Sequence, residues 1–217
     1  GPEAGEIMAA IAPQTKDMTF MQSGPVMIDG VRCAVSRSGY TGEDGFEILY
    51  PAGGATAFVE RLLSDPRVKP IGLGARDSLR LEAGMCLYGH DIDTTKTPIT
   101  ASLAWTVSKA RRERGDFPGA ARILKELKDG PASKRVGIKP LGRAPAREGT
   151  EIQSADGQIL GVVTSGGFGP TVNGPVAMGY VAASHAKTGT PLKLIVRGKA
   201  LDAEVAALPF VPHKYKR

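Results

Sequence analysis

The 217-residue sequence is short of the features that most quickly betray a function. It has only two cysteines, Cys33 and Cys86, too few to staple a chain of this length, and neither lies near a second ligand at zinc spacing. A disulfide scaffold and a zinc module are therefore excluded, and a reducing compartment is expected. No apolar run approaches the ~20 residues that cross a bilayer, and the first residues do not read as a signal peptide. There is no internal repeat, no low-complexity tract and no G-x-x-x-x-G-K-[ST] loop. Gly72-Leu73-Gly74 lacks the third glycine of a dinucleotide loop, and Gly166-Gly167-Phe168-Gly169 runs into Pro170 and more strand where a helix should begin. There is also no initiating Met ahead of Gly1-Pro2, from which we expect a processed chain or one that starts inside a longer protein.

What is present describes a globular chain. Hydrophobic residues make up 41% and charged residues 23%, near the averages for folded proteins. The 28 glycines and 16 prolines favour turns and short strands over long helices. Lys and Arg (28) outnumber Asp and Glu (22), a net charge of +6 that suits nucleic acid, an acidic membrane surface or an anionic small molecule without choosing among them.

Residues 3–12 predict a helix stopped by Pro13. Val26 to Val35 predicts a hairpin about Asp29-Gly30, and Phe46, Ile48 and Tyr50 alternate as a further strand. Residues 53–64 predict a helix with Phe58, Leu62 and Leu63 on one face. Leu73, Leu79 and Leu81 predict another, ended by Gly84. Residues 109–131, with the charge cluster KARRERGDF and a short helix from Ala120 to Leu127, read as a connecting segment. From residue 132 to 217, six short β runs separated by turns predict a small barrel or sandwich. The class is α+β: a mixed α/β portion over 1–108, the connection at 109–131, and a small antiparallel β-barrel domain with its tail over 132–217.

Two segments carry chemistry. In Ser38-Gly39-Tyr40-Thr41-Gly42-Glu43-Asp44-Gly45-Phe46-Glu47, three glycines let the backbone turn tightly and approach a ligand. A strand carboxylate such as Glu47 can accept two parallel N–H bonds, which suits a 2-amino-4-oxo ring of the pterin or guanine kind. A turn with solvated acids is the competing reading. In the segment from Gly72 to Gly84, Arg76 and Arg80 are four apart on a helix and could hold a carboxylate or phosphate between them; the alternative is pairing with Asp77 or Glu82. His90, Asp91 and Asp93 are close in sequence, but neither strand nor helix spacing turns all three inward, so a polar loop with capping aspartates is preferred and no metal is expected. Neither Cys33 nor Cys86 has a histidine in its own segment, so neither is taken as a nucleophile.

With Leu87-Tyr88-Gly89-His90-Asp91-Ile92, these segments resemble the T-protein family of the glycine cleavage system, the tetrahydrofolate-dependent aminomethyltransferases. YTGEDGFEI, GLGARDSLRLEAGMCLYGHDID and the terminal MGYV…LPFVPHKY follow the family pattern in order, over essentially the whole chain. The resemblance implies that Glu47 hydrogen-bonds the pterin ring, that Arg76 contacts folate, and that Tyr215 touches substrate near the C-terminus. It places Tyr40, Tyr88 and Trp105 where aromatic residues line or support the folate cavity. It implies tetrahydrofolate as a substrate, the lipoylated H-protein as partner, no nucleic acid and no membrane. The compartment would be a bacterial cytoplasm or a mitochondrial matrix.

The chain departs from the family pattern at Thr100-Ala101-Ser102, where an acid is lost, and at Gly169-Pro170, where the family tends to have Ser-Pro. Full-length relatives are also expected to carry roughly another 150 residues ahead of Gly1. Those residues would include the aspartate that positions tetrahydrofolate, so no catalytic residue is assigned within this chain and little or no turnover is expected of it alone. Apolar surface left without that segment would favour association. Two rivals are a folate-dependent demethylase using the same pocket and a nucleic-acid-binding module on a small barrel. The second lacks a basic stripe interleaved with aromatics.

Overall fold

The computed structural model describes residues 1–217, and contacts gather them into two compact units: Gly1–Arg80 with Pro212–Arg217, and Leu81–Val211. The chain passes from one to the other inside a helix, whereas the sequence reading draws its line at residue 108. Leu81 packs with Val176 and Met178, which groups the segment after Arg80 with the barrel strands.

In the first unit, helix α1 (Ala4–Ile11) buries Ile7 and Met8, and Pro13 opens a 3-10 turn over Pro13–Asp17. Strands β1 (Ser23–Ile28) and β2 (Val31–Ser36) form the expected hairpin. Its two-residue turn needs positive φ at both positions to match strand twist, and Asp29 (47°) and Gly30 (81°) supply it. Alternation turns Val26, Ile28, Cys33 and Val35 onto a core with Met8, Ala12 and Phe58. Strand β3 (Glu47–Leu49) pairs antiparallel with β2, setting Glu47 opposite Ser36.

Helix α2 (Ala55–Leu63) contributes Phe58, whose ring stacks on Tyr50 at 4.5 Å, and Leu62 packs beside it. Leu63, expected on the same face, is 42% exposed. It lies five residues beyond Phe58, about 140° around the helix, whereas Leu62 is four residues on and nearly in line. Helix α3 (Leu73–Glu82) ends before Gly84, whose φ of 68° stops it. Leu73, also expected to face a core, is exposed in the first turn, while Leu81 near the other end is buried.

The second unit holds two short helices and a barrel. Helix α4 (Lys109–Arg114) forms where a charge cluster gave no apolar period; Ser108 caps it by accepting from Arg111 N, and Gly115 ends it. Helix α5 (Ala120–Asp129) follows and turns Ile123 inward. Strands β4 (Ser133–Pro140), β5 (Glu151–Gln153), β6 (Ile159–Gly169), β7 (Gly174–Ala182), β8 (Pro191–Val196) and β9 (Lys199–Ala206) then close an antiparallel barrel in the order β4-β7-β6-β5-β8-β9. This is the barrel that the six β runs predict. Ile138, Ile152, Val163, Ala177, Val181, Leu194 and Val205 fill it. Backbones approach closely: a Cβ on Gly161 would lie 1.9 Å from the Tyr180 carbonyl oxygen. No helix in the chain is long and apolar enough to cross a membrane.

Candidate functional site

The loop between β2 and β3 is built around a buried ion pair that the sequence does not announce. Arg37 is only 4% exposed. Its Nε and Nη2 donate to the two carboxylate oxygens of Asp44 at 3.0 and 2.5 Å. Its Nη1 donates to the carbonyls of Thr15 and Met18 at 3.3 and 2.9 Å, and its guanidinium lies over the Phe46 ring. The Arg37 hydrogen bonds hold the Asp44 carboxyl below the ordinary carboxylate range, against the opposing effect of burial. The acids of this turn are therefore engaged and not merely solvated: Glu43 likewise accepts from Lys214 Nζ at 2.8 Å.

The C-terminal residues brace the same loop. Lys214 N donates to the Gly42 carbonyl at 2.9 Å, and Phe20 N donates to the Lys216 carbonyl at 2.7 Å. Tyr215 stacks on Phe20 with ring centroids 3.9 Å apart and planes 2° from parallel. Burial pushes the Tyr215 phenol up from its ordinary value.

Beside the loop lies a cleft of about 460 Å³, lined by Ser38, Tyr40, Phe46 and Glu47, by Ile7 and Met8 of α1, and by Arg67, Lys69, Ile71 and Arg76. Three of the residues expected at a ligand site, Tyr40, Glu47 and Arg76, thus share one cavity wall. Ser38 Oγ donates to Glu47 Oε2 at 2.6 Å and orients the carboxylate. The Arg76 guanidinium sits 5.0 Å from the centre of the Tyr40 ring, near enough for a cation–π contact. Arg67 is committed elsewhere, to Asp65 at 2.8 Å and Glu6 at 3.2 Å; its hydrogen bonds lower the Asp65 pKa to about 2.

The other expected residues are not among those that line the cleft. Tyr215 belongs to the same unit but does not line the cleft. Tyr88 and Trp105 belong to the second unit, 68% and 78% exposed, and neither lines the cleft. Arg80 does not join Arg76 in a shared anion grip. It is 3% exposed and paired with Asp77 at 2.8 Å, so it takes the internal acid that the sequence offered as the alternative.

In the second unit Asp91 anchors the YGHDID segment. Asp91 is fully buried and accepts from Leu87 N (2.9 Å), Ser165 Oγ (2.8 Å) and Thr164 Oγ1 (2.5 Å), while the Tyr180 hydroxyl donates to its carbonyl. The segment is thereby bolted to β6 and β7. His90 pairs with Glu148 at 2.6 Å, away from Asp91. No group of three or more His, Cys, Asp or Glu side chains is placed to hold a metal ion. Sequence reasoning includes Ser38 and Asp44 in the chemistry-bearing segment without a role for either and misses Arg37, because nothing local marks an arginine just past a strand as the anchor of the loop that follows.

Comparison with known proteins is consistent along the chain. The pattern of the GCVT N-terminal domain matches residues 1–111, and that of the glycine cleavage T-protein C-terminal barrel domain matches residues 134–212. The chain is 49% identical over 219 residues to a probable mitochondrial aminomethyltransferase of Schizosaccharomyces pombe, covering 100% of this chain and 56% of that protein. It is 49% identical to a mitochondrial aminomethyltransferase of Gallus gallus, covering 55% of that protein. The crystal structure of glycine cleavage system aminomethyltransferase T from Bartonella henselae superimposes with a TM-score of 0.93 at 47% identity, over 100% of this chain and 59% of that one. The chain thus spans little more than half the length of the relatives it matches.

Proposed function

The chain belongs to the glycine cleavage T-protein family, and on that premise we propose that its cleft holds tetrahydrofolate and that it forms the folate-binding part of an aminomethyltransferase. The observation that carries this reading is the gathering of Tyr40, Glu47 and Arg76 on one wall, with Glu47 oriented by Ser38. A fixed carboxylate accepts the paired N–H groups of a 2-amino-4-oxo pterin. The Tyr40 ring offers a flat face, and Arg76 a guanidinium fork for a folate carboxylate. Tyr215, Tyr88 and Trp105 are proposed as further contacts to substrate or cavity on the family resemblance alone.

Tetrahydrofolate is a substrate in this reaction. The lipoylated H-protein presents an aminomethyl group on its dihydrolipoyl sulfur. Folate nitrogens form two bonds to that carbon while its bonds to the amine nitrogen and to sulfur break. The products are 5,10-methylenetetrahydrofolate, ammonia and the free dihydrolipoyl thiol. The residues of this chain bind and orient the pterin and shield it from water. No residue lining the cleft is an aspartate, and we assign no catalytic residue here. On its own the chain is proposed to bind folate without normal turnover, in a mitochondrial matrix or a bacterial cytoplasm.

Equilibrium titration with tetrahydrofolate tests the site. Glu47→Ala raises Kd at least about tenfold, ~1.4 kcal/mol, and unchanged affinity overturns the assignment. Ammonia release at a normal rate from this chain, lipoylated H-protein and tetrahydrofolate would refute the view that it does not turn over alone.

A further inference from the structure

The cleft wall is a loop, and loops are ordinarily mobile unless something ties them down. Residues 38–46 are braced by Lys214 at Gly42 and Glu43, and Asp44 ties them by its side chain to an arginine that is itself fastened to a different part of the unit. Arg37 spends Nε and Nη2 on Asp44 and Nη1 on the Thr15 and Met18 carbonyls, so one buried guanidinium joins the loop to the turn after α1. The side chains are 5% and 15% exposed, so the pair is little screened by water. Helix α1 makes room for it: a Cβ on Gly5 would lie 2.9 Å from Arg37 Nη2 and 3.3 Å from Asp44 Oδ2. A glycine inside a helix is a disfavoured choice there, which alanine would improve if the pair were not pressed against it. The Phe46 ring, immediately before Glu47, lies 4.9 Å from the guanidinium.

We propose that the Arg37–Asp44 pair is a positioning device for the folate site: it holds the 38–46 loop in its binding shape before ligand arrives, so that Tyr40 and Glu47 are set together on the cleft wall. Neither residue touches ligand. Both act through the loop, and Gly5 is the notch in α1 that admits them. This rests on the folate reading given above for the ligand, while the ordering of the loop is independent of it. A preset loop spares the ligand the entropy of ordering it, so loosening the clamp weakens binding without removing any contact group.

The test compares this chain with Asp44→Asn, Gly5→Ala and Glu47→Ala, using tetrahydrofolate titration and hydrogen exchange of the free proteins. Asp44→Asn keeps the shape and loses the charge; Gly5→Ala keeps the pair and fills its notch. Both are expected to raise Kd three- to tenfold and to speed amide exchange across Tyr40–Glu47 at least fivefold, with exchange in the β4–β9 barrel unchanged. Gly5→Ala does so despite its better helix propensity, and it carries the test should Asp44→Asn not fold. Wild-type affinity and wild-type loop protection in a folded Asp44→Asn or Gly5→Ala protein overturn the proposal. If Glu47→Ala binds as tightly as wild type, the folate reading falls by itself. Loop protection then decides the clamp: its loss in Asp44→Asn sustains it, and its retention refutes it.

Discussion

The two units solve the problem of holding a backbone still in opposite ways. The barrel closes on itself, every strand has two neighbours, and its interior is filled by aliphatic side chains from all six. The first unit has a three-stranded sheet whose third strand is three residues long, followed and preceded by loops. Its cleft wall depends on one buried ion pair, a lysine at the C-terminus and a serine on a carboxylate. Closure makes the barrel robust and leaves it no open edge to adapt; the looser unit has the exposed carboxylate, guanidinium and aromatic face that a ligand needs.

Substituting the barrel's tightest glycine tests that contrast most severely. Gly161→Ala forces a Cβ to within 1.9 Å of the Tyr180 carbonyl, backbone against backbone, and is expected to abolish the folded barrel, read as loss of amide protection in β4–β9. Next in size, Ile152→Ala empties a fully buried site and should cost about 2–5 kcal/mol in denaturant unfolding of that unit, with the first unit's exchange little changed.

A smaller effect separates the units by pH. Because Asp44 titrates below an ordinary carboxylate when folded, its pairing stabilises the first unit fully well above pH ~4 and is lost as pH falls through the folded pKa. Asp44→Asn should therefore be less stable than wild type at pH 7, and the gap should narrow as pH drops below about 4. Exchange of α1 and β2 peptides against pH measures it; a gap constant with pH contradicts it. Smallest of all, Leu73→Ser on the exposed first turn of α3 should change stability by less than about 0.5 kcal/mol in denaturant melts.

Much of this was legible in the chain order of residues. Asp29-Gly30 predicts its turn because both positions need positive φ, and the six β runs predict a barrel from their spacing and turn residues. Of the residues that the sequence marks as chemistry-bearing, Tyr40, Glu47 and Arg76 line one cleft. Other details differ between sequence and structure for physical reasons. Leu63 looked apolar enough for the α2 face, but rotation about the helix axis carries it outward. Arg80 looked like a partner for Arg76, yet burial beside Asp77 claimed it. The α4 cluster looked irregular because its stability comes from the Ser108 cap and the Gly115 stop, with no apolar stripe to reveal it.

Turn types, strand runs, the class of fold and the family were all open to reading from residues near one another in sequence, since φ preference and side-chain alternation act over a few positions. The shape of the cleft wall was not. Arg37 reaches Asp44 only once the loop has folded back and α1 has left a notch at Gly5, and Lys214 reaches Glu43 across 171 residues. Those contacts exist only after distant segments are packed together, because an ion pair has no partner preference along the chain until burial removes the water that would otherwise satisfy it.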